Sequence, residues 1–151
     1  IDLHPLDVTD DDDLNWLRAL VWPEHVDRHE QLAAAATVAR ADPPEIVTGD
    51  ALDVLPAVVD ELPADVAVCI YDTQVLYQLT EAQRERYRGL LADLAVDRDL
   101  HWVSGSHAVE SADGPGIALR HADVSGDGVV EPTTVARYES HGRWVEWVAP
   151  D

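Results

Sequence analysis

Glu45-Ile46-Val47-Thr48-Gly49-Asp50, an apolar run to Leu62, then Ala67-Val68-Cys69-Ile70-Tyr71-Asp72 and Thr73-Gln74-Val75-Leu76-Tyr77-Gln78-Leu79 decide the fold. Two short β-branched runs, each closing on an aspartate and separated by one helix-length segment, spell a strand–helix–strand unit of the parallel kind. In doubly wound sheets, ligands lie beyond the carboxyl ends of the strands, where Asp50 and Asp72 fall. The spacing predicts strand 45–48, helix 51–61, strand 66–71 and helix 80–96. Pro56 must disturb the first helix unless the helix begins there. Thr80, with Gln83 three residues on, forms a capping box for the second.

Outward toward the N-terminus, Ile1-Asp2-Leu3-His4-Pro5 reads as the end of a short strand running into a turn. Thr9 is the expected N-cap of a helix whose first turn carries Asp10 to Asp13, where the macrodipole favours negative charge. Leu14, Leu17, Leu20 and Val21 give it an apolar stripe. Pro23 opens a second helix to about Ala41, with Val26, His29 or Glu30, Ala33, Ala36 and Val38 on its apolar face. His25 and His29 share one side of that helix, a spacing metal sites use. No third ligand is indicated, so packed or solvated histidines are the plainer reading.

Outward toward the C-terminus, Leu100 to Ser104 is a strand, followed by a polar, glycine-rich stretch from Gly105 to Gly116. Beyond it the pattern turns antiparallel, with strands at 117–123, 132–139 and 143–148 and a tight hairpin at His141-Gly142. Asp123 to Glu131 begins like a calcium-binding loop. Its twelfth position would be Thr134, so a plain hairpin turn is favoured and no metal ligand set is assigned. Arg84, Arg86 and Arg88 read as a solvated face paired with neighbouring acids. Trp102, Trp144 and Trp147 read as core, with a partner surface as the alternative.

The 151 residues carry 30 acidic and 10 basic side chains, a formal net charge of −20, and every basic residue is arginine. Such a chain is repelled by nucleic acid and by anionic membranes, so neither is expected as a partner. An acidic, lysine-free surface is expected of a protein living in molar salt, where the Debye length shrinks to about 3 Å. A calcium or polycation binder is the weaker alternative, because the acids are spread along the chain. The single cysteine, Cys69, sits in an apolar run and reads as a small buried hydrophobe. It can form no disulfide within the chain, and no apolar run approaches membrane-spanning length, so the expected location is cytoplasmic. Ile1-Asp2-Leu3 reads like the middle of something longer, a C-terminal part completed by polypeptide N-terminal to Ile1. The lack of a Gly-x-Ser-x-Gly elbow and of any lysine argues against a serine hydrolase and a phosphate loop.

Taken together, the order of elements resembles the second half of a class I S-adenosylmethionine-dependent methyltransferase. Val47 to Pro56 is similar to the segment after that fold's third strand, and Ala64 to Leu76 to its fourth strand and the turn beyond. Ile1 to Pro5 is similar to the end of its second strand. More narrowly, Asp2 to Val8 with Trp16 to Glu24 resembles an uncharacterised family of haloarchaea and actinobacteria. The resemblance implies a single Rossmann-like domain over 1–151: a mostly parallel sheet with helices on its faces and an antiparallel β tail from about 116 to 149. It implies S-adenosylmethionine as cofactor, with Asp2 toward the ribose, Asp50 and Ala51 toward the adenine, and an unidentified small-molecule or protein methyl acceptor. The family's glycine-rich cofactor loop has no counterpart here, so the cofactor site is incomplete and the isolated chain is expected to be inactive. Asp72 or His107 would supply a base if the reaction needs one; members usually carry a histidine where Asp72 stands. A plainer role for Asp72 is to cap the turn after its strand. The alternative function is a non-enzymatic interaction module on a degenerate Rossmann-like fold.

Overall fold

The computed structural model describes residues 1–106, 117–139 and 143–148. They form two compact units, Ile1–Val54 and Leu55–Asp151. His107 and the His141-Gly142 hairpin lie outside the described residues.

In the first unit, α1 (Asp11–Ala19) is capped by Asp10, whose carboxylate accepts from the Asp12 and Asp13 amides. The expected cap, Thr9, is occupied elsewhere: its amide and hydroxyl both donate to Asp7, at 2.8 and 2.7 Å. The helix therefore starts one residue later, on the stronger acceptor. Helix α2 (Val26–Ala41) begins three residues after Pro23. Its inward stripe is His29, Leu32, Ala36 and Ala39: His29 and Ala36 lie where expected, whereas Val26, Ala33 and Val38 are exposed. Alanines offer little area to bury, so they do not fix which side of a helix turns inward. Arg40 closes the pair, donating from Nε to the Val8 carbonyl at 2.6 Å and meeting Asp11 at 3.4 Å.

The expected strand at 45–48 is reduced to one parallel bridge between Asp2 and Thr48. Asp2 N–H donates to the Val47 carbonyl at 3.0 Å, and Gly49 N–H donates to the Asp2 carbonyl at 2.9 Å. Gly49 then turns at φ +151°, and a Cβ there would stand 2.6 Å from Val54 Cγ1. Gly49→Ala is expected to lower stability by about 1–2 kcal/mol, read as a fall in the urea midpoint without a change in slope. Asp50 follows, taking the Leu52 amide on its carboxylate at 2.9 Å and the Asp53 and Val54 amides on its carbonyl. Helix α3 (Ala51–Asp60) buries Leu52, Leu55 and Val59. Pro56 lies inside it, so the helix neither breaks nor starts there; the ring removes one internal hydrogen bond.

The second unit is a sheet of six strands: β1 (Val68–Thr73), β2 (Leu100–Ser106), β3 (Ile117–Ser125), β4 (Gly128–Val129), β5 (Thr133–Tyr138) and β6 (Val145–Trp147). Their order is β1-β2-β3-β5-β6, with β4 hairpinned onto β3. Only β1 and β2 run parallel; the remaining pairs are antiparallel. The expectation of a mostly parallel sheet is therefore corrected. The fold is mixed α/β, and the antiparallel part is the larger, because β3 returns beside β2 and every later strand adds to it. The Asp123–Glu131 stretch is the hairpin β3–β4, closed by the Val130 amide on the Asp123 carbonyl at 3.0 Å.

Helix α4 (Glu81–Leu94) has the expected box: Thr80 Oγ1 accepts from Gln83 N while Gln83 Oε1 accepts from Thr80 N. Arg84 and Arg88 meet Glu81 and Glu85 one turn back, as a solvated face should. The helix turns Tyr87 and Leu91 inward onto one face of the sheet, where Val68, Leu100, Trp102, Ala122 and Val124 are also buried. Tyr87 meets Trp102 edge-on, with ring centroids 5.9 Å apart. Strand alternation sends Cys69, Tyr71, His101, His121 and Asp123 to the other face, which is largely wet. Cys69 is exposed, correcting the buried reading: it lies on that face of a strand paired along one side only.

Candidate functional site

Asp72 is the fifth residue of β1 and shares the α4 face with Trp102 and Ser104 of β2, its register partner being Ser104. Its carboxylate takes three neutral donors: Trp102 Nε1–H at 2.6 Å and the Tyr87 hydroxyl at 3.1 Å on Oδ2, and the Ser104 hydroxyl at 2.8 Å on Oδ1. All three donors sit on buried residues. The partners come from β2 and α4, not from the turn after β1, so the turn-capping role is replaced by an anchor between strand and helix. Burial, and then the charge of Asp72, push the Tyr87 phenol far above its ordinary pKa of about 10. Tyr87 thus remains a donor at neutral pH.

At the carboxyl end of the same strand pair the backbone is strained. Gln74 follows β1 with φ +58°, the one non-glycine residue at positive φ among those described, and its amide donates to the Gly105 carbonyl at 2.8 Å. Gly105 leaves no room for a side chain: a Cβ would overlap the Tyr138 hydroxyl and stand 2.8 Å from Thr73 Cγ2. Into this corner the structure brings two buried polar atoms, Gln74 Nε2 and Tyr138 Oη, which have no partner of good hydrogen-bond geometry although the Gln74 side chain lies within reach of the phenol. Burial is the main cause raising the Tyr138 phenol above its ordinary pKa; the Gln74 side chain opposes it, and Tyr71 and Asp72 add to it. Sparse backbone conformations and orphaned buried polar groups cluster where a ligand completes the structure. The arrangement offers a neutral donor–acceptor pair beside an anchored carboxylate, suited to a polar, uncharged or cationic group.

In the first unit the bridge sets Asp2 and Asp50 near two adjoining strand-like ends. Each carboxylate spends one oxygen on a backbone amide, Asp2 on His4 N at 2.8 Å and Asp50 on Leu52 N at 2.9 Å. Ala51 is the exposed first residue of α3. His107, the second base candidate, lies outside the described residues. His25 and His29 occupy the start of α2; His25 Nδ1 is buried without a partner. Sequence reading took Asp123 only as the start of a calcium-type loop and missed its grouping with His121 and, across β2 and β3 on the wet face, with His101. The signal was there in the His121-x-Asp123 alternation of β3, once β2 is known to lie beside it.

The described residues define a mixed α/β protein with a polar corner at the end of the parallel pair β1–β2. Residues 1–147 match the family model described as "Uncharacterized protein conserved in bacteria (DUF2332)", and the chain belongs to that family. Comparison with curated proteins finds no match, and comparison with solved structures finds none.

Proposed function

We propose that this chain is a methyltransferase-like, Rossmann-related α/β domain whose first unit binds an adenosyl cofactor of the S-adenosylmethionine type. The observation that carries the reading is the parallel Asp2–Thr48 bridge, which brings a ribose-type acid and an adenine-type acid to adjoining strand ends. Each acid keeps an oxygen beyond its capping bond: Asp2 for ribose hydroxyls, Asp50 for an adenine amino group, with Ala51 at the mouth of α3. The residues present thus fit the adenosine part, and the cofactor would supply a methyl group for transfer to an unidentified acceptor. In the second unit, the corner of Gln74 and Tyr138 beside Asp72 is a polar-ligand position of the kind found past parallel strands.

S-adenosylhomocysteine titrated by calorimetry in molar KCl tests the reading. The informative variant is Asp50→Asn, because asparagine caps a helix as well as aspartate does but loses the second acceptor. About a tenfold loss of affinity is expected. Unchanged affinity in Asp50→Asn would remove adenine from this position. Calorimetric silence would move the choice to a non-catalytic interaction module, which draws on β6: Trp147 is 76% and Trp144 42% exposed, whereas Trp102 is core.

A further inference from the structure

The wet face of the β2–β3 ladder holds a constellation that the adenosine reading does not use. His101 and Asp123 are direct cross-strand partners, and His121 lies two residues before Asp123, so all three side chains rise from one face. Their ligand atoms converge: His101 Nδ1 is 3.1 Å from His121 Nε2 and 3.0 Å from Asp123 Oδ1, and His121 Nε2 is 3.7 Å from that same oxygen. The imidazole rings are stacked, with centroids 5.2 Å apart. A ring N–H of a neutral histidine can bridge one pair of these atoms at a time, whereas a metal ion can meet all three at once.

The distances admit the metal. A circle through the three atoms has a radius of about 1.9 Å, so an ion raised about 0.7 Å from their plane meets all three at the ~2.0–2.1 Å typical of zinc. Two imidazoles and one carboxylate suit zinc and its first-row neighbours, whereas calcium and magnesium take oxygen sets. A further carboxylate supports the set from behind: Asp99 Oδ1 stands 3.5 Å from Nε2 of His101, the ring nitrogen that does not face the cluster. At that distance the contact is electrostatic, and it favours a proton on Nε2, the tautomer whose Nδ1 is free to ligate.

We propose that His101, His121 and Asp123 form a binding site for a zinc-class divalent ion, oriented through Asp99. The side chains are 36%, 33% and 70% exposed, so water completes the coordination and leaves a position open to an exogenous ligand. The site stands on its own geometry and is independent of the adenosine reading.

Cobalt(II) titrated into the whole chain reads the site directly, because its visible d–d bands report both binding and low coordination number. Zinc is measured in parallel by competition with a chromogenic chelator. One equivalent is expected, and His121→Ala should weaken both metals by at least about 100-fold, Asp99→Asn by about tenfold. His29→Ala, which removes half of the other histidine pair, should change nothing. Asp123→Asn, at an exposed position and close in shape, guards against misfolding and should also weaken binding. Zinc should raise the melting temperature of the parent chain and not that of His121→Ala. Full-strength binding in His121→Ala and Asp123→Asn, loss of binding in His29→Ala, or no one-equivalent cobalt spectrum would each overturn the proposal.

Discussion

Asp72→Ala is expected to destabilise the second unit by about 3–5 kcal/mol, because three buried donors lose their common acceptor at once. Trp102 Nε1, the Tyr87 hydroxyl and the Ser104 hydroxyl all donate to this one carboxylate, and the Tyr87 hydroxyl also lies within reach of the Trp102 side chain. Their residues are 5–7% exposed, so water reaches them poorly. Urea unfolding followed by far-ultraviolet circular dichroism measures the loss; a change below about 1 kcal/mol would show that the anchor is incidental. The same cluster predicts an alkaline limit. Since Tyr87 titrates higher folded than unfolded, the unfolded chain loses this proton first, and stability falls as pH rises past about 10. Below that pH the contribution is fully present. Tyr87→Phe should remove this slope while lowering stability at neutral pH, since Asp72 loses one donor.

Gly105→Ala is the second large effect, about 2–3 kcal/mol of destabilisation from overpacking. The added methyl would meet the Tyr138 hydroxyl and Thr73 Cγ2, and only the first can be deleted cleanly. Tyr138→Phe on its own is expected to change stability by less than about 1 kcal/mol, since its buried hydroxyl has only a poorly aligned Gln74 side chain within reach. In the double variant, Tyr138→Phe should recover part of the Gly105→Ala loss, a coupling that a double-mutant cycle reads. Strict additivity would place the strain elsewhere.

The parts of this fold that were legible in the sequence are those with a local cause. The Thr80–Gln83 box, the apolar run that buries Leu52, Leu55 and Val59, and the short strand-forming runs of β1, β2 and β5 each depend on neighbours a few residues away. What failed depended on tertiary placement. Thr9 and Asp10 are both good caps, and only the Asp7 contact decides between them. Cys69 lies in an apolar run, yet its exposure follows from β1 being an edge strand, which no window of sequence reveals. The strand order that makes the sheet mostly antiparallel is likewise a long-range choice. At the sites, Asp72 was visible as a strand-end acid, but its partners come from 15 to 32 residues away. His101 and Asp123 became partners only through the β2–β3 register.

That register has a mechanical consequence. Successive residues of β2 face opposite sides, so Leu100, Trp102 and Ser104 belong to a dry interior while His101 and Val103 between them belong to water. A slip of one residue against β3 would exchange the two sets entirely. An ion gripped by His101 from one strand and by His121 and Asp123 from the other would act as a rivet through the ladder, admitting a single alignment. Chemistry on the wet side would then keep Trp102 and Ser104 in place under Asp72, with only the thickness of a backbone between them.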